Sequence, residues 1–209
     1  MLFPGFASED FDLFAIPEFD ARMAEIRARV RPKLLALGED LTPQIATVLK
    51  APTYLHVAQH LRRRVNPPAE TWAAFAREKR GYKRWTHYRV AISGAGVRVT
   101  VFVEDDADDK APLGASFEAG AEELIGKLAP ATGLEWYTLG DPYLSQSELT
   151  PERLQEAGRA LQRLKTVKFQ AGISLRRQEV LRKTPEQFER WAIKQVRLLK
   201  PLYVAGLGQ

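Results

Sequence analysis

Between residues 84 and 104 side chains alternate, and Val97, Val99, Val101 and Val103 all fall on one side of an extended strand. Ser93-Gly94-Ala95-Gly96 interrupts the run with hairpin-turn chemistry, so residues 84–93 and 97–104 are expected to be two antiparallel strands. A hairpin with one apolar side must bury that side against something else. The flanking sequence supplies helices whose apolar residues recur at the longer helical period.

Ahead of the hairpin, Phe19, Met23, Ile26, Val30, Leu34 and Leu37 mark a helix with Asp20 as N-cap and Gly38 as stop. Pro32 inside it predicts a kink near Ala28–Arg31. Further helices are expected over 43–49, 54–64 and 70–77, the one over 54–64 ending before Pro67-Pro68. Beyond the hairpin come a helix over 116–128, a strand over 134–139, and a helix opening at Thr150-Pro151. Val167, Phe169, Ala171, Ile173 and Leu175 alternate with polar residues, a strand with one wet or functional face. The last helix starts at the capping box Thr184-Pro185-Glu186-Gln187 and runs to about residue 203. This order implies one α+β domain over residues 1–209, an antiparallel sheet of about four or more strands covered by helices.

Cysteine is absent, which removes disulfides, thiolate metal sites and a cysteine nucleophile. The start of the chain lacks a secretory pattern and no apolar run is long enough to span a bilayer, so a cytoplasmic, non-membrane protein is expected. Phosphate-loop, dinucleotide and hydrolase-elbow motifs are missing, and no cofactor is expected.

Charge is concentrated. Residues 56–89 carry seven Arg, two Lys and two Glu, a net +7 against +5 for the whole chain, with all three histidines and two of the four tryptophans. Within this basic patch, Arg62, Arg63, Lys79, Arg80, Gly81 and Lys83 are the candidate anion-binding residues, and Tyr82 and Trp85 the candidate stacking rings. Lys79-Arg80-Gly81-Tyr82-Lys83 partly imitates an RNA-recognition strand, but Lys83 stands where glycine or alanine belongs. His56 and His60, four apart on the expected helix, are weak metal candidates together with His87. Arg62, Arg63 and Arg64 then sit at that helix's C-terminus, where cations also complement the dipole. Trp72 reads as core scaffold with its indole N–H satisfied, and the acidic run Glu104–Asp109 as a solvated turn, since it lacks the ligand spacing of a calcium loop.

The series His56-Val57-Ala58-Gln59-His60, Arg62-Arg63, Val65-Asn66-Pro67-Pro68, Thr71-Trp72, Ala74-Phe75, Lys79-Arg80-Gly81-Tyr82-Lys83 and His87 resembles the YktB-like family of bacterial proteins, a domain of unknown function. Asp10-Phe11, Asp20-Ala21-Arg22-Met23, Arg31-Pro32-Lys33-Leu34, Thr166-Val167-Lys168 and Gly172-Ile173 extend the likeness over nearly the whole chain. The resemblance implies a compact α+β fold with an antiparallel sheet and carries over no activity, cofactor or catalytic residue. Arg64 departs from the family pattern, where a small residue is expected.

The expected function is a binding domain, leaning away from an enzyme, for an anionic ligand, either nucleic acid or a phosphorylated small molecule. A His/Arg-dependent, metal-assisted phosphoryl-group enzyme and a regulatory domain that docks an acidic protein are the alternatives. Oligomeric state is not legible.

Overall fold

The computed structural model describes residues 2–61, 63–138 and 144–207. Helices α1 (Glu9–Asp12), α2 (Phe19–Glu25) and α3 (Arg31–Leu49) come first. A π-helical stretch, Ile26–Val30, joins α2 to α3 just ahead of Pro32, whose missing N–H cannot reach the carbonyl of Ala28. The expected irregularity is therefore there, as a π-bulge. Gly38 does not stop the helix and 43–49 is not a separate one, because α3 runs through both with Pro43 inside it. Gly38 serves close packing instead: Leu55 leans on it so tightly that a Cβ there would lie 2.4 Å from Leu55 Cδ1.

Among the described residues seven strands follow in one antiparallel sheet: β1 (Tyr54–Val57), β2 (Glu70–Ala76), β3 (His87–Ser93), β4 (Gly96–Val103), β5 (Leu134–Thr138), β6 (Leu144–Ser145) and β7 (Phe169–Arg176). Their order is β1-β2-β3-β4-β7-β5-β6. The remaining helices are α4 (Lys110–Leu128), α5 (Pro151–Arg163), α6 (Arg177–Leu181) and α7 (Pro185–Ala205). The hairpin turn stands where expected, with Ser93 paired to Gly96. Thr150 caps α5, and Thr184 with Gln187 forms the capping box of α7. The strand expected over 134–139 is described only to Thr138; Leu139 lies outside the described residues.

Two further expectations fail. Residues 54–64 and 70–77 were expected to be helices, but 54–57 and 70–76 are strands β1 and β2, and the described residues between them, 58–61 and 63–69, are irregular. Ala73, Ala74, Phe75 and Ala76 are all buried. A strand covered on both faces loses the period-two signal, and alanine then mimics a helix.

Leu55, Phe75, Tyr88, Val99 and Phe169 point to the helices. Tyr88 donates to Val196 O (3.1 Å) and stacks on Tyr203, while Phe169 meets Phe117 of α4 edge-on. Helices α3, α4 and α7 thus lie on one face of the sheet. The opposite face carries the row His56, Ala74, Arg89, Thr100, Gly172, Glu135 across six strands.

Helices α4 and α5 touch through Gly114 and Gly158, where a Cβ on Gly158 would stand 2.5 Å from Gly114 O and 3.0 Å from Phe117 Cβ. Gly158→Ala should lower stability by about 1–2 kcal/mol, overpacking exceeding the gain in helix propensity. Urea unfolding with an unchanged m-value measures it.

Candidate functional site

The face turned away from the helices is built around Arg89. Its side chain is only 5% exposed, and its guanidinium lies 3.5 Å from the Phe102 ring centroid and 4.6 Å from that of Trp72. Its Nε donates to His87 Nε2 (2.9 Å) and its Nη2 to Glu104 Oε1 (2.6 Å). Lys168 Nζ donates to Glu104 Oε2 (2.7 Å), and His87 Nδ1 donates to Trp85 O (2.7 Å). The chain His87–Arg89–Glu104–Lys168 satisfies each buried charge from both sides.

These contacts fix protonation. His87 must accept from Arg89 and so is neutral; burial and the Arg89 charge lower it to about 3. Burial pushes the Glu104 carboxyl up, but Arg89 and Lys168 outweigh it and hold the group down at about 2. Glu104 is therefore not part of a solvated turn. Asp109 is buried too, accepting from Thr86 N with both oxygens (2.9 and 2.8 Å). The acidic run continues into structure at both ends because backbone and guanidinium donors wait there.

Trp72 is partly exposed on this face and is not a core residue, although its indole N–H is satisfied by Tyr82 Oη (3.0 Å). His60 meets its ring edge-on at 5.3 Å, and Lys83 Nζ lies 5.9 Å from its centroid. His60 Nε2 bonds Thr71 Oγ1 (3.1 Å), and burial followed by the charges of Arg63 and Lys83 lowers it to about 4. Arg63, Lys83, His60 and Trp72 are thereby gathered at one end of the face.

The other expected residues are placed differently. Arg62 lies outside the described residues. Arg63 and Arg64 are exposed between β1 and β2 and cap no helix, since the described residues there form none. Lys79 and Arg80 are exposed on the turn after β2, Lys79 Nζ lying 5.6 Å from the Tyr54 ring. Gly81 has φ +67°, a left-handed conformation that the turn itself requires. Tyr82 is engaged by stacking on His56 and by an edge contact with His87, and Trp85 lies under the Arg77 guanidinium at 3.8 Å.

His56 is on β1 and His60 in the following connection, where it takes a positive φ of 53°, so the two do not share a helix face. His56 Nε2 donates to Glu78 O (2.9 Å). Among the described residues no group of three His, Asp or Glu side chains has the geometry of a metal site. Sequence reasoning missed Arg89, Phe102, Glu104 and Lys168. The signal for Phe102 was the alternation itself, which sends Arg98, Thr100 and Phe102 to the side opposite the valines.

Two outcomes follow from the buried network. Glu104→Gln leaves Arg89 buried without its counter-charge and should cost about 3–5 kcal/mol in urea unfolding near neutral pH. Because the folded Glu104 titrates below its ordinary value, its contribution is complete above about pH 4.5 and fades towards pH 2, where wild type and variant should converge. His87 has the same direction for a different reason. An unfolded histidine takes up a proton below about pH 6.5 and the folded one does not, so stability should fall as pH drops from about 6.5, by up to about 1.4 kcal/mol per pH unit. A pH series of unfolding midpoints checks this, with His87→Leu expected to flatten the slope.

The family model for a domain of unknown function, DUF1054, matches residues 6–203. A UPF0637 protein of Bacillus velezensis is 34% identical over 186 residues, covering 88% of this chain and 87% of the relative. One from Bacillus licheniformis is 32% identical over the same length and shares. A Listeria innocua UPF0637 protein is 46% identical over 92 residues, 44% of this chain and 45% of the relative. The likeness read from the residues around His56–His87 thus extends over the whole fold, and the chain belongs to the DUF1054 family of bacterial proteins, the YktB-like family.

Proposed function

We propose that this chain is a binding domain for a phosphate-bearing anion, which it meets at the Trp72 end of the helix-free sheet face. The observation that carries the reading is the pair Arg63 and Lys83, both exposed beside Trp72 and His60, neither paired with a carboxylate among the described residues. Lys79 and Arg80 on the adjoining turn add to the same positive field and likewise have no carboxylate partner among the described residues. Most other cations of the segment are spent within the fold: Arg89 on Glu104, Arg84 on Asp108 and Arg77 on the Trp85 ring.

A cation surrounded by other cations and an aromatic ring, with water on its outer side, lacks only a negative partner. Bringing a phosphate to it restores the Coulomb energy that the fold withholds, and releases counterions if the ligand is a polyanion. Burial does most to lower the titration of His60, and the charges of Arg63 and Lys83 add to it, which fits two cations held close to that ring. Acid–base catalysis gains no such support from His87, whose two ring nitrogens are already engaged beneath Tyr82.

Sodium tripolyphosphate and a mixed-sequence oligonucleotide, titrated while Trp fluorescence is followed, provide the test. The oligonucleotide's affinity should fall linearly on a log–log plot against salt, and Lys83→Ala or Arg63→Ala should weaken binding and reduce the salt slope by about 1. No binding of either polyanion at low salt would overturn the reading.

A further inference from the structure

Resting on that reading, we infer that the ligand is single-stranded nucleic acid, laid across the helix-free sheet face with its bases stacked on Trp72 and Phe102. Three features of the face point this way.

Aromatic rings stand on three of its strands: Tyr54 on β1, Trp72 on β2 and Phe102 on β4, each partly exposed. On the helix-covered face the large rings are sealed instead, Phe75 and Tyr88 at 0% and Trp136 and Phe169 at 1%. Burying an aromatic ring is favourable, so rings left partly in water on one face offer apolar surface that a partner can cover. Every base offers a π-face to such rings whatever its sequence.

The second feature is rigidity. One guanidinium, that of Arg89, touches both Trp72 and Phe102 and is itself pinned by His87 and Glu104. Tyr82 Oη holds the indole N–H, and His60 supports the ring edge. Two platforms joined by a fixed cation lose little entropy when a base settles on them.

The third feature is the shape and sign of the surroundings. The centre of the face is closed by its own side chains, Ala74 and His87 at 0% and Thr100 at 3%, so a ligand meets it at the ring edges and flanking cations, contacts that an extended polymer can repeat. Exposed cations line the β1–β2 end, where Arg63, Lys79, Arg80 and Lys83 can follow a phosphate backbone while bases turn to the sheet. A duplex keeps its base faces stacked on one another and cannot offer them to Trp72 or Phe102.

Fluorescence anisotropy with end-labelled single-stranded DNA and RNA of one mixed sequence, the same DNA annealed to its complement, and polyphosphate as competitor tests the proposal. Either single strand should bind at least about tenfold tighter than the duplex and resist competition by polyphosphate of equal charge. Trp72→Ala and Phe102→Leu should each weaken the single strand by about tenfold or more and leave polyphosphate binding unchanged, and Trp72→Phe should restore part of the loss. Circular dichroism and thermal midpoints check that the variants are folded, and Trp72→Phe keeps the test meaningful if Trp72→Ala is not. Duplex and polyphosphate binding as tightly as the single strand, with Trp72→Phe and Phe102→Leu unaffected, overturns base stacking and leaves the anion reading standing. No binding of any polyanion overturns both.

Discussion

A guanidinium that is 5% exposed on a sheet face must be neutralised where it stands, and much of the face follows from how Arg89 meets that requirement. Glu104, at the end of β4, supplies the counter-charge; Lys168, at the start of β7, takes the second carboxylate oxygen; His87, two residues before Arg89 on β3, accepts from Nε and must stay neutral to do so. Trp72 and Phe102 then lie against the cation from β2 and β4. Contacts centred on one side chain therefore tie together β2, β3, β4 and β7, the middle of the sheet. Their registers are set independently by backbone pairing, so side chains and ladder specify the same alignment.

The helices define the site by where they do not go. Apolar residues such as Val97, Val99, Val101 and Val103 are buried to 2% or less and draw α3, α4 and α7 to their side. The other side is left with residues whose apolar bodies cover one another while their edges and polar tips remain accessible: Trp72, Tyr82, Phe102, His56. Both properties come from a single alternation along each strand, and a one-residue slip in any of them would exchange core for site.

How much of this was legible follows from the same alternation. The β3–β4 hairpin, β7 with its wet face at Gln170 and Ser174, and the α7 capping box were readable because each keeps an uninterrupted period or a local cap. Strands β1 and β2 were not, because Ala73-Ala74-Phe75-Ala76 is buried throughout and alanine carries no strand preference. Losing β2 misplaced Trp72 into the core, and losing β1 put His56 and His60 on a helix face. The basic patch was visible as composition, but which cations converge depends on the pairing of β1, β2 and β3. Glu104 was hidden for another reason: it lies 15 residues from its partner Arg89 among exposed acids, and nothing local separates a carboxylate that turns inward from its neighbours that do not.

The division between fixed and mobile cations has a physical consequence for recognition. Arg89 and Lys168 share the Glu104 carboxylate, and Asp105 Oδ1 lies 3.7 Å from Lys168 Nζ, so the charges of this network are balanced within the fold. Arg63 and Lys83 sit outside it on exposed side chains, Arg63 Nη1 donating to Asn66 O (3.4 Å), at the same end as Trp72. Long flexible cations lose side-chain entropy on binding and give attraction that salt screens, while rings already held in place by Arg89, Tyr82 and His60 lose almost none. On such a surface the cations govern how fast and how salt-dependently a partner arrives, and the rings govern which partner stays.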